Sequence, residues 1–125
     1  MHAVRPPPLL LLAASLGAAA CSGPEAPDAD VCADYVHRIC LPPRCARVDA
    51  ELNVAATCEA VLLQRTGCGN PAFAFTVPTR ERFLSCRAPL LRQGDGREQH
   101  PACEDVSESF DRCADVVSFL NGVAP

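Results

Sequence analysis

The stretch Cys103-Glu-Asp-Val106-Ser-Glu-Ser-Phe110-Asp-Arg-Cys113-Ala-Asp-Val-Val117-Ser-Phe-Leu120 decides the fold class. Its apolar side chains stand at alternating spacings of three and four, the stripe of an amphipathic helix and not the two-residue period of a strand. Pro101 is placed to open this helix, and Asn121-Gly122 to end it. Glu104 and Asp105 fall in its first turn, where the helix dipole favours negative charge. Cys103 and Cys113 share the stripe but lie ~15 Å apart along the axis. A disulfide spans at most ~7 Å between Cα atoms, so each must bond to another segment.

Upstream, the same period recurs. Val31, Cys32, Tyr35, Val36, Ile39 and Cys40 predict a helix of about ten residues, with Asp30 placed to cap its start and Pro42-Pro43 to end it. Cys32 and Cys40 are ~12 Å apart on that helix, so their partners also lie elsewhere. Val48, Leu52, Ala55, Cys58 and Leu62 predict a second helix, with Gly67 as its C-cap. Phe73-Ala-Phe75-Thr-Val77 alternates like a short strand. Without a second strand to pair with, it reads as an extended connector that buries two phenylalanines; a partner-binding loop is the alternative. Thr79 can cap a third helix through Phe83, Leu84, Cys86 and Arg87, which Pro89 should kink or end. Leu90 and Leu91 carry its apolar face to the turn Gln93-Gly-Asp-Gly96. The expected fold is all-α, a small disulfide-rich bundle of about four helices spanning residues 31–125.

Residues 21–30 have a different character. Ser22-Gly-Pro-Glu-Ala-Pro-Asp-Ala-Asp30 has no large apolar side chain and two prolines, and reads as a tether. Before it, Arg5 precedes Leu9-Leu-Leu-Leu-Ala-Ala-Ser-Leu-Gly-Ala-Ala-Ala-Cys21. A basic start, an apolar run and small residues before a break make residues 1–20 a signal peptide. The run from 9 to 20 is well short of the ~20 apolar residues a membrane-spanning helix needs. Cleavage is expected, not insertion.

The junction Ala18-Ala19-Ala20-Cys21 resembles the lipobox of bacterial lipoproteins, although Ala18 stands where that family usually has leucine. The resemblance implies an acylated, palmitate-type anchor on Cys21 and attachment to a membrane. Ser22 in place of aspartate beside it resembles lipoproteins sorted to the outer membrane or cell surface. Ordinary secretory cleavage at the same Ala-x-Ala site, giving a secreted or periplasmic protein, is the alternative. Cysteine parity points toward the lipid. Nine cysteines cannot all pair. With Cys21 set aside, eight remain: Cys32, Cys40, Cys45, Cys58, Cys68, Cys86, Cys103 and Cys113. In an oxidising compartment these read as four disulfides. Their connectivity is one of 105 possibilities, less the two same-helix pairs. No Cys-x-x-Cys occurs, so the usual zinc and thioredoxin spacings are missing and no metal is expected.

All 11 basic residues are arginine. Without Arg5, 10 arginines face 15 carboxylates, giving −5 from side chains. Such a chain has no electrostatic footprint for nucleic acid. Arg80, Arg82, Arg87 and Arg92 form its one basic segment. They are read as a solvated face neutralised by acidic neighbours, with contact to anionic lipid or cell-wall polymer as the alternative. From Cys21 the chain has 105 residues, a single domain with a modest core.

Candidate chemistry is sparse. His37-x-x-Cys40 resembles the catalytic helix of secreted phospholipases A2, but Arg38 replaces the aspartate that follows the histidine there, and no glycine-rich calcium loop precedes it. Asp34, three residues before His37, suggests an exposed ion pair instead. His100 before Pro101 reads as a loop residue near a helix start. Small helical disulfide proteins such as saposins carry apolar ligands, which is the second functional class to weigh. The expectation is a non-catalytic envelope lipoprotein with no cofactor, a structural or interaction module. Its partners are the membrane, through the anchor, and an unidentified protein or envelope component.

Overall fold

The computed structural model describes residues 25–43, 45–92 and 101–123, and among them every regular element is helical. Residues 1–20, expected as a signal peptide, Cys21, the expected turn at 93–96 and His100 lie outside the described residues. The α-helices are α1 (Asp28–Cys40), α2 (Ala46–Leu52), α3 (Cys58–Thr66), α4 (Arg80–Arg87), α5 (Cys103–Arg112) and α6 (Ala114–Leu120). Two 3-10 turns, Ala55–Thr57 and Ala88–Leu91, lie between them. The all-α, disulfide-rich reading is therefore observed, with six helices where about four were expected.

The difference comes from two breaks inside segments that keep a helical period. The second expected helix splits at Asn53, which takes a left-handed φ of 50°. Its N–H donates to the Asp49 carbonyl and closes α2 at 3.1 Å. The break turns Val54 into the core at 2% exposure. In an unbroken helix Val54 would point away from the stripe of Val48, Leu52 and Leu62. The last expected helix splits at Cys113, whose φ and ψ are −134° and 62°. Beyond it the buried pair is Val116 and Leu120, and Val117 is only half-buried. The stripe has slipped by one residue at a point where spacings of three and four are interchangeable.

Helix ends follow side-chain chemistry. Helix α1 begins at Asp28, so residues 28–30 are helix and not tether, and Asp30 lies in the first turn instead of capping it. The Asp28 carboxylate explains the earlier start. It accepts the Phe75 N–H at 3.0 Å and Arg80 Nη1 at 2.7 Å, tying this end to the connector and to α4. Ala26 and Ala29 are buried beside it. Gly67 caps α3 at φ 82°, its N–H donating to Leu63 O at 3.1 Å. Thr79 Oγ1 accepts the Arg82 N–H at 3.2 Å at the start of α4. Pro89 ends α4 in the 3-10 turn. Helix α5 is capped by Ala102, one residue after Pro101, and the Ala102 N–H donates to Asp105 Oδ2 at 3.0 Å.

Helix α1 packs on α3 and α4, α5 packs on α4 and its 3-10 extension, and α6 packs on α3 and α2. Phe83 is the hub of the core. Its ring meets Tyr35 at 5.5 Å, Phe75 at 4.7 Å and Phe119 at 5.2 Å between centroids. Phe73 closes the group against Phe75 and Phe119. The connector thus sends two half-buried rings into the bundle and forms no strand. Each aromatic or aliphatic side chain fully buried here contributes about 1.5–3 kcal/mol.

Four disulfides tie this core: Cys32–Cys68, Cys40–Cys58, Cys45–Cys103 and Cys86–Cys113, with Cα separations of 5.6, 5.8, 5.4 and 6.1 Å. Every one joins different helices or segments, as the axial distances along the helices require. Two start from α1 and reach α3 and the residue just past its cap, so α1 and α3 are held at both ends.

Candidate functional site

The basic segment forms a second set of staples. Arg80 reaches Asp28 on α1 at 2.7 Å, and Arg82 reaches Asp115 on α6 at 2.9 Å. Arg87 reaches Asp34 on α1 at 2.9 Å, and Arg92 meets Asp105 and Glu108 on α5. Each arginine answers a carboxylate from another helix, so this segment is neutralised within the domain. The same division of labour holds elsewhere. Arg65 Nη1 donates to the carbonyls of Leu52 at 2.7 Å and Leu120 at 3.4 Å. Those are the last carbonyls of α2 and α6, which have no partner inside their own helices. Arg47 clamps Asp111 at 2.7 Å and lies over the Phe110 ring.

These contacts set the charge states. Asp28 is held below the usual carboxylate range, first by the Phe75 N–H and then by Arg80. Asp115 is lowered mainly by its hydrogen bonds from Arg82. Tyr35 moves the other way: burial removes water from the phenol and pushes its pKa up to about 12. Its O–H points to Ser109 Oγ at 2.7 Å, and Ser109 donates to the Cys86 carbonyl at 2.7 Å. A buried polar chain thus runs from α1 through α5 to α4 with each hydroxyl satisfied.

His37 does not pair with Asp34. Its Nδ1 faces Glu59 on α3 at 3.2 Å, both side chains about half exposed, 50% and 48%. Asp34 is turned inward and accepts Arg38 Nε at 2.8 Å as well as Arg87. The spacing of three placed Asp34 near His37, but the burial of Arg87 gives that carboxylate a stronger partner on α4. Among the described residues, no three His, Cys, Asp or Glu side chains converge at metal-binding distance. No described helix is long and apolar enough to cross a membrane.

Among the described residues a cleft of about 420 Å³ lies between the end of α1, the Pro42-Pro43 corner, α2 and the first 3-10 turn. Ile39, Val48, Pro42 and Ala56 supply apolar walls and Asp49 a carboxylate. The Cys40–Cys58 disulfide and Cys45 complete the lining. The cysteine spacing brought these sulfurs into view, but their convergence on one cleft depends on the break at Asn53, which no motif announces. The site cysteines other than Cys21 are all consumed by disulfides, and Cys21 lies outside the described residues. Compared with protein-family models, with curated proteins and with solved structures, the chain matches none of them.

Proposed function

We propose that the chain is an exported, lipid-anchored module of the bacterial envelope, non-catalytic, whose folded domain serves as a structural or interaction unit. The observation that supports this reading is the complete pairing of eight cysteines within the domain, so that Cys21 stands outside the four pairs. An oxidising compartment is where such a set persists, and an N-terminal cysteine after Ala18-Ala19-Ala20 is where a lipid would be attached. A thin core tied by four disulfides and by the Arg87–Asp34 pair resists unfolding at a membrane surface.

The intact mass of the mature protein before and after reduction and alkylation tests this reading. The expected result is eight alkyl groups gained only after reduction, an N-terminus at Cys21, and an added acyl mass in the membrane fraction. Recovery from cytosol with Met1 retained and thiols free would overturn it.

A second reading, a carrier of apolar ligands in the manner of saposins, draws on the cleft, whose volume is within the range of small-molecule sites. Uptake of an apolar fluorophore by the native, oxidised domain distinguishes a carrier from a closed module. Loss of that uptake in an Ala56→Asp variant that keeps its helical circular dichroism would place the ligand in that cleft.

A further inference from the structure

We infer that the Cys40–Cys58 disulfide is a thiol-exchange site, attacked through the cleft by a thiol of a small reductant or of a protein oxidoreductase. Thiol–disulfide exchange requires that a thiolate reach one sulfur directly. Cys32, Cys68, Cys86 and Cys113 are at 0–3% exposure, and Cys45 is at 4%. Cys40 and Cys58 are both partly exposed, and both line the cleft. Cys45 also borders the cleft but is buried, so Cys45–Cys103 is reached mainly at Cys103, which is half-buried and does not line the cleft.

Helix polarity decides which sulfur leaves. Cys40 is the last residue of α1, where the helix dipole opposes a thiolate, and Cys58 is the first of α3, where it favours one. The incoming thiolate bonds to Cys40 Sγ, the Cys40–Cys58 bond breaks, and its electron pair leaves on Cys58 Sγ. A second thiol of the reductant then attacks the mixed disulfide at the reductant's own sulfur. That step releases the Cys40 thiolate and leaves the reductant as a disulfide. The two protein thiolates take up the two protons given by the reductant. The change frees the end of α1 and the Pro42-Pro43 corner from α3 while the other three disulfides remain. This site does not depend on a lipid at Cys21.

The oxidised mature chain is treated with graded dithiothreitol without denaturant, quenched in acid, alkylated with iodoacetamide and mapped by mass spectrometry. Cys40 and Cys58 are expected to be alkylated together, at least about tenfold sooner than the other six, with helical circular dichroism retained. Reduced glutathione is expected to leave its adduct on Cys40. Even labelling of all eight, or first labelling at Cys45 and Cys103, would overturn the site, and an adduct on Cys58 would overturn the assignment of the leaving sulfur. A Cys40→Ser, Cys58→Ser double variant is expected to fold and to lose the fast phase; a fast phase that survives in it counts against the proposal.

Discussion

Asp34 on α1 and Arg87 on α4 meet at 2.9 Å with side chains only 12% and 6% exposed. A charge pair this deep holds two helices together, because neither partner can return to water without its helix moving. Removing Asp34 takes away the carboxylate that both Arg87 and Arg38 face, and breaking a buried pair costs up to about 3–5 kcal/mol. Asp34→Ala is therefore expected to lower the urea midpoint by a corresponding amount, and Asp34→Ala with Arg87→Met to recover part of that loss. A double-variant loss equal to the sum of the Asp34→Ala and Arg87→Met losses measured singly would show that the pair is not coupled.

Tyr35 carries an alkaline prediction. Its folded pKa of about 12 lies above the ordinary 10.0, so the neutral phenol is the form that the fold prefers. The associated stability is complete below pH 10 and is lost as pH rises toward 12, about 2–3 kcal/mol in all. Tyr35→Phe is expected to cost about 1 kcal/mol at neutral pH, from the hydrogen bond lost at Ser109. It should then show a flat stability profile across the alkaline range. Chemical denaturation at a series of pH values checks both halves.

The acid limb depends on Asp28 and Asp115. Both are lowered from 3.8, so their stabilisation is present above that value and disappears as pH falls through the depressed folded values. Arg82→Ala is expected to return the Asp115 carboxyl toward 3.8 in an NMR titration, since the hydrogen bonds from Arg82 do most to lower it. Arg80→Ala should return Asp28 only in part, because the Phe75 N–H, the larger cause, stays in place. A full return of Asp28 would show that Arg80, and not the Phe75 N–H, dominates the lowering.

Asn53 is a backbone prediction. At φ 50° a β-carbon-bearing residue without a helpful amide side chain costs about 1–2 kcal/mol. Asn53→Ala is expected to destabilise by about 1 kcal/mol, and Asn53→Gly to be nearly neutral or slightly stabilising. The difference between the two midpoints measures the cost of the break that puts Val54 in the core.

The parts of the fold that were legible came from local rules. The helical stripe of Val106, Phe110 and Leu120, the Gly67 and Thr79 caps and the stop at Pro89 all act within one turn of the residues that cause them. The breaks at Asn53 and Cys113 were not legible, because the apolar spacing runs through both without a gap. Only the packing of Val54 and Val116 against residues far away in sequence makes the broken form better. The candidate site divides in the same way. Its sulfurs could be counted and their same-helix pairings excluded on axial distance alone. The cleft, however, assembles side chains from α1, α2 and the first 3-10 turn.

From its residues alone, the chain determined an all-helical domain, four disulfides' worth of cysteine and which pairs on a helix could not bond, since helix period and rise are properties of neighbouring residues. Which cysteine met which, that Asp34 chose Arg87 over His37, and which disulfide opens on a cleft were decided only by the tertiary structure. Those outcomes compare partners dozens of residues apart, and their ranking is set by burial, which no local spacing encodes.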